Sequence, residues 1–120
     1  MASRDNFKKG SVEMLLLHLL QEGDLYGYQL SQLIKERSNG ILAIPEGSMY
    51  PTLYKLVDKG HVTDYKKQVG KRLVRVYYHL EPEGLDHLQS LLQDYCEINQ
   101  GIHAILDFTH KAEYKENTNE

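Results

Sequence analysis

Apolar residues fall along this chain in several successive rhythms. Between residues 11 and 21, Val12, Met14, Leu15, Leu16, Leu17, Leu19 and Leu20 leave hardly a polar side, which predicts a central, largely buried helix. After Gln21-Glu22-Gly23-Asp24, the three-four spacing of Leu30, Leu33, Ile34 and Arg37 predicts a second helix over 26–38, stopped by Asn39-Gly40. Ile41-Leu42-Ala43-Ile44-Pro45 is too apolar for a free loop and is expected to run extended across the core, with Pro45 disfavouring helix at Ile44. A third helix is expected over 48–59, with Ser48 as N-cap, Pro51 near its start and Gly60 as its stop. Assigning Leu53, Leu56 and Val57 to its buried face turns Ser48, Met49, Thr52 and Lys55 outward.

The rhythm then changes to a period of two. Residues 61–66 and 73–80 read as strands around the polar turn 67–72, and the second alternates Val74, Val76, Tyr78 and Leu80 against Leu73, Arg75, Tyr77 and His79. The expectation is a two-stranded hairpin with one buried face. Glu81-Pro82-Glu83-Gly84 opens a last helix reaching to about residue 114. In it Leu85, Leu92, Asn99 and Leu106 recur every seven residues, as do Leu88, Tyr95, Ile102 and Thr109, and Leu91, Ile98 and Ile105 widen the stripe. So long a stripe needs a partner, either a second copy of the chain with Asn99 setting register, or the first helix of the same chain, which leaves the distal half bare. Gly101 weakens this helix locally, residues 111–120 lose the pattern, and 116–120 read as a disordered tail.

Composition changes this picture in only one respect. The 120 residues, 41% hydrophobic and 26% charged, suit a single folded domain, and one cysteine, Cys96, cannot form an internal disulfide. The apolar run after Arg4, Lys8 and Lys9 is interrupted by His18 and followed by no cleavage-type sequence, and no run is long enough for a membrane span. A cytoplasmic protein without membrane contact is expected. The net charge of -3, however, hides an asymmetry: residues 8–79 hold 11 Lys and Arg against 7 Asp and Glu, whereas residues 80–120 hold 2 against 9. Between 55 and 75 stand Lys55, Lys59, Lys66, Lys67, Lys71, Arg72 and Arg75 against only Asp58 and Asp64, a local excess able to attract phosphates.

Three helices, a hairpin and a long helix form a mainly α fold with a small β-hairpin, a winged helix-turn-helix (residues 8–80) followed by a dimerisation helix (81–115). In such a motif the second helix of the pair sets its N-terminal side chains against base edges in the major groove, while cations and backbone N–H groups hold phosphates. Base readout is accordingly expected from Ser48, Met49 and Thr52, and phosphate contact from Tyr50, Lys55 and the wing cations Lys66, Lys67, Lys71 and Arg72. Tyr26 and Tyr28 read as packing residues, Tyr54 equally as packing or contact, and Arg75 equally as a phosphate ligand or a structural ion-pair partner. The histidines give no metal expectation: Cys96, His103 and His110 are too far apart along one helix to converge on an ion. No nucleophile-base pair or phosphate-cradling glycine loop points to an enzyme, and no cofactor is expected.

The same residues resemble the PadR-like transcriptional regulators. Tyr26-Gly27-Tyr28-Gln29-Leu30 is similar to that family's second-helix motif, residues 46–56 (EGSMYPTLYKL) to its recognition-helix motif, and residues 75–80 with Glu83-Gly84 to its wing and the entry to its last helix. Met49 stands where the family usually has Leu, and Glu81 where it has Thr or Ser, which leaves the last helix without its usual N-cap. The resemblance implies a homodimeric repressor on a palindromic operator in double-stranded DNA, often released by a small-molecule effector. Leu88, Leu92, Tyr95, Ile98 and Ile102 are the residues expected to line a dimer interface or a site for an aromatic or hydrophobic effector. The rival reading is a winged-helix protein-interaction module without specific DNA binding, favoured by the overall acidity.

Overall fold

The computed structural model describes residues 10–118, with side chains as far as Asp107. The chain order is α1 (Ser11–Leu20), β1 (Leu25–Tyr26), α2 (Gly27–Arg37), α3 (Glu46–Asp58), β2 (Val62–Val69), β3 (Leu73–Leu80) and α4 (Pro82–Thr118). It divides into two compact units, one ending at Leu88 and the other beginning at Gln89. The first two turns of α4 therefore belong with the elements before them. Residues 8 and 9 of the expected winged-helix domain, and 119 and 120 of the expected tail, lie outside the described residues; 116–118 are helical.

The first unit closes around leucines. Leu16, Leu17, Leu19 and Leu20 from α1 meet Leu30 and Ile34 from α2, Met49, Leu53 and Leu56 from α3, and Val62, Tyr78 and Leu88, all buried. α3 packs on α1, α2 and β2, so it is the element that the others share. Among the described residues no polar or charged residue is fully buried, and removal of apolar area from water is what holds the unit together. Of the segment 41–45 expected to cross the core only Ile44 is buried, and its carbonyl accepts the Ser31 hydroxyl at 3.0 Å; Ile41 is 65% exposed, so the segment runs along the surface with one side chain inserted.

Two boundaries and the number of strands depart from the sequence expectation. α3 begins at Glu46 after an extended Pro45, so Ser48 lies in the first turn and caps nothing. Pro51 then stands inside the helix, and Gly47 O loses the N–H that a residue four places on normally supplies. β2 runs to Val69, which confines the turn to Gly70-Lys71-Arg72 and puts Lys67 on the strand beside Lys66. Finally, the sheet has three strands in the order β1-β3-β2, all antiparallel: Leu25 pairs with Tyr78 and Tyr26 with Tyr77. Two residues between an acidic turn and a helix carry too little pattern to announce a strand.

Two glycines explain the close fit. A Cβ on Gly84 would lie 2.0 Å from the His61 carbonyl oxygen, because α4 starts directly against the α3–β2 corner, where Glu81 N donates to that same oxygen at 3.1 Å. A Cβ on Gly27 would meet the Tyr50 hydroxyl at 2.6 Å. The first obstacle is backbone and the second is the end of a side chain. Gly84→Ala should accordingly cost about 3 kcal/mol or more, and Gly27→Ala clearly less, as read from urea denaturation of the two variants.

Candidate nucleic-acid interface

The burial of α3 sorts its residues. Met49, Leu53 and Leu56, at spacings of four and three, are each 0% exposed and form the inward stripe. Met49 therefore cannot reach a base edge, and its assignment to readout is corrected: the periodicity that buries Leu53 and Leu56 buries it as well. Ser48, Pro51, Tyr54, Lys55 and Lys59 are exposed and Thr52 is half-buried, giving one polar face with two ammonium groups.

Tyr50 also departs from expectation. Its half-buried ring lies against Gly27 and its hydroxyl donates to Glu46 Oε2 at 3.1 Å, while burial and that carboxylate push its pKa up. Its hydroxyl is thus engaged within the fold. Its ring stacks on that of Tyr54, centroids 6.0 Å apart, and Tyr54 is 60% exposed. Tyr28, expected to pack, is 55% exposed at the start of α2. With Tyr50, Glu46, Asp64 and Arg75, these two tyrosines line an open cleft of about 530 Å³ between α2, α3 and the hairpin. Tyr78 closes its floor, its hydroxyl pKa pushed up to about 12 by burial and the neighbouring tyrosines. Aromatic residues at a helix start give no sequence signal that separates packing from exposure, so the exposure of Tyr28 is not legible in the sequence.

The hairpin carries its cations on both faces. Lys66 pairs with Val76 and Lys67 with Arg75, so consecutive lysines point oppositely. Lys66 shares the face of Val62 and Tyr78, the buried face of the sheet, at the end nearer the turn. Lys67 and Arg75 lie on the other face above an aromatic ladder. There Tyr65 stacks on Tyr77 at 5.7 Å, Tyr77 meets Tyr26 edge-on at 5.4 Å, the Lys67 ammonium is 5.5 Å from the Tyr77 centroid, and the Arg75 guanidinium is 4.3 Å from that of Tyr26. Arg75 is thus engaged by a ring, neither of the two roles expected for it. Lys71 and Arg72 are exposed in the turn, and among the described residues no wing cation forms an ion pair with a carboxylate.

Asp24 fastens the outer face to the turn before β1. Its carboxylate accepts the Tyr65 hydroxyl at 2.7 Å and pairs with His79 Nδ1 at 2.7 Å. The bond to His79, then that to Tyr65, hold the Asp24 pKa down, and the bond to Asp24 raises that of His79.

In the second unit, Leu92, Tyr95, Ile98, Ile102, Ile105 and Leu106 are exposed along α4, while Asn99 is half-exposed. Leu88 is not among them. At 1% exposure it belongs to the core of the first unit, which removes it from the expected interface. The Thr109 and His110 side chains lie outside the described residues. No helix among the described residues is long and apolar enough to cross a membrane.

A profile of the transcriptional regulator PadR-like family matches residues 16–90. The chain belongs to this family. PadR-like proteins are transcription regulators and not enzymes, in agreement with the absence of catalytic patterning in the sequence. The solved structure of a transcriptional regulator from Clostridium thermocellum superposes with a TM-score of 0.76 at 27% identity, covering 82% of this chain and 93% of that one. The negative transcriptional regulator PadR of Bacillus subtilis is 31% identical over 77 residues, which are 64% of this chain and 42% of that protein. PadR of Bacillus subtilis solved with operator DNA superposes at a TM-score of 0.62 with 30% identity, over 67% of this chain and 45% of that one. This PadR-like chain thus spans less than half the length of Bacillus subtilis PadR.

The Asp24–His79 pair predicts a pH dependence for this PadR-like fold. A raised histidine pKa contributes stability in full below the ordinary histidine value of about 6.5, lost as pH climbs through the raised value; a lowered aspartate pKa contributes above about 4, lost as pH falls through the lowered one. The melting temperature of the wild type should exceed that of His79→Gln by most between about pH 4 and 6.5. The two should converge above neutrality, as followed by circular dichroism.

Proposed function

We propose that this regulator is a homodimeric, sequence-specific repressor whose α3 enters the major groove of a palindromic operator while the hairpin lies along the flanking backbone. The observation that carries this reading is the division of α3 into a buried Met49-Leu53-Leu56 stripe and an exposed face of Ser48, Thr52 and Lys55. Ser48 and Thr52 supply hydroxyls for base edges, and Lys55, Lys71 and Arg72 supply charge for phosphates. Exposed Tyr28 and Tyr54 add rings and hydroxyls beside the same face. Lys66 is the strand lysine on the sheet face shared with Tyr78, which lines the cleft beside α3, and Lys67 the one held over Tyr77. The operator complex of Bacillus subtilis PadR supports DNA as the ligand.

The second copy is supported by the apolar row on α4. Leu92, Tyr95, Ile98, Ile102 and Ile105 are exposed at heptad-like spacing, a pattern that a paired helix covers, with half-exposed Asn99 available to set register. A two-fold dimer sets two half-sites one helical turn, or a multiple, apart. Tyr95, Ile98 and Ile102 are the residues we assign to a small hydrophobic or aromatic effector that releases the operator.

Fluorescence anisotropy against DNA from the gene's own upstream region, with scrambled DNA as control, tests the reading. Preference for the native sequence is expected; equal binding to both would leave only electrostatic association, and no binding at low salt would favour the protein-interaction module. Lys66→Ala should weaken binding to both DNAs and lower the salt slope by about one ion, with a smaller effect from Lys67→Ala. Ser48→Ala should instead reduce the preference itself, by about 1 kcal/mol. Leu92→Glu should turn the dimer into monomer in sedimentation velocity, because a buried unpaired carboxylate is strongly unfavourable.

A further inference from the structure

Away from the proposed DNA face, three side chains from distant parts of the sequence meet within the first unit. Glu13 comes from α1, His61 from the corner between α3 and β2, and His87 from the second turn of α4, and one ligand-type atom of each lies within 4.8 Å of the other two. The His87 Nε2 is 2.7 Å from Glu13 Oε1, and the His61 and His87 rings stack at 4.3 Å with 16° between their planes. His61 Nδ1 is shut off from solvent and, alone among the described side chains, is a buried polar atom without a hydrogen-bond partner. Such an atom calls for a physical explanation.

The backbone fixes these positions firmly. His61 N donates to Leu56 O at 2.9 Å, His61 O accepts Glu81 N at 3.1 Å, and Gly84 lies against that oxygen with no room for a side chain. His87 follows Gly84 by three residues on the same helix face, so the approach that requires glycine also carries the second imidazole to the first. All three side chains are half-buried, which leaves one side of the cluster open to solvent.

We propose that Glu13, His61 and His87 form a binding site for one zinc-class divalent ion. Two imidazoles and a carboxylate are a donor set that suits Zn²⁺ and disfavours Mg²⁺ or Ca²⁺, which seek oxygen. Ligand atoms around a tetrahedral ion at about 2.0–2.2 Å lie roughly 3.4 Å apart. The in-plane lone pairs of stacked rings run nearly parallel, so uptake of the ion turns the His61 and His87 rings out of their stack until both nitrogens converge. The ion takes the place of the hydrogen bond between His87 Nε2 and Glu13 Oε1, and water from the open side completes the fourth position. Because the ligands join α1, the α3–β2 corner and the root of α4, occupancy stabilises the folded unit by linkage.

The test uses the full chain stripped with EDTA and titrated with Zn²⁺ by isothermal calorimetry, with Co²⁺ as a spectroscopic substitute. Expected are one ion per chain, a raised melting temperature, visible Co²⁺ bands of tetrahedral type and no response to Mg²⁺. Glu13→Gln and His87→Gln should each weaken Zn²⁺ binding by about tenfold or more, with folding checked by circular dichroism, whereas His103→Gln on distal α4 should leave it unchanged. Failure of the wild type to take up Zn²⁺, or uptake of equal affinity by a folded Glu13→Gln or His87→Gln variant, would overturn the proposal. No step of the test uses DNA, so it stands or falls apart from the repressor reading.

Discussion

Met49, Leu53 and Leu56 are fully enclosed, and their contact with the leucines of α1 and α2 fixes the rotation of α3 about its own axis. Every property of the proposed interface depends on that rotation. With the stripe inward, Ser48 and Lys55 can only face solvent, and Tyr50 is turned against Gly27, where its hydroxyl meets Glu46. A rotation by one residue, about 100°, would put a hydroxyl or an ammonium into the core. The apolar penalty against this is much larger than any single contact on the exposed face, so recognition chemistry is subordinate to packing.

Much of this arrangement is legible in the sequence because it follows from periodicity. The α1 leucines repeat often enough to fix both element type and buried side, whereas the 73–80 alternation fixes the strand and the heptad rows of α4 the helix, the row from Leu92 onward being exposed. What was not legible involves residues too few or too ambiguous to repeat. β1 has two residues, and its existence depends on β3 some fifty positions away. Ser48 satisfies every local criterion for an N-cap, yet the extended Pro45 takes that position three residues sooner. A buried face that starts at Leu53 leaves Met49 outside it, whereas the stripe continues backward by one turn and encloses Met49. Tyr50 is engaged within the fold and Tyr28 is exposed, the reverse of the expected burial, because a tyrosine is both a packing body and a polar tip.

The family motifs also gain a physical meaning from the structure. In Tyr-Gly at 26–27, the glycine admits the Tyr50 ring; in Glu-Gly at 83–84, it admits a carbonyl oxygen. These are sites of contact between elements. They specify how α2 meets α3 and how α4 leaves the sheet, which sequence comparison alone would present only as short conserved-looking strings. The charge asymmetry acts at another level: the cations lie on α3 and the hairpin and the excess acid on α4, so the net charge of -3 says little about either unit.

Tyr26 holds three positions at once. It pairs with Tyr77 as the end of β1, its backbone N–H is accepted by Gln29 at the start of α2, and its ring underlies Arg75. Two residues earlier, Asp24 receives Tyr65 and His79 from the two hairpin strands. The wing is consequently not a detachable cassette. A hairpin grafted from a relative to change operator preference would bring neither Asp24 nor Tyr26, since both precede it by some forty residues, and a working chimera must exchange the two segments together.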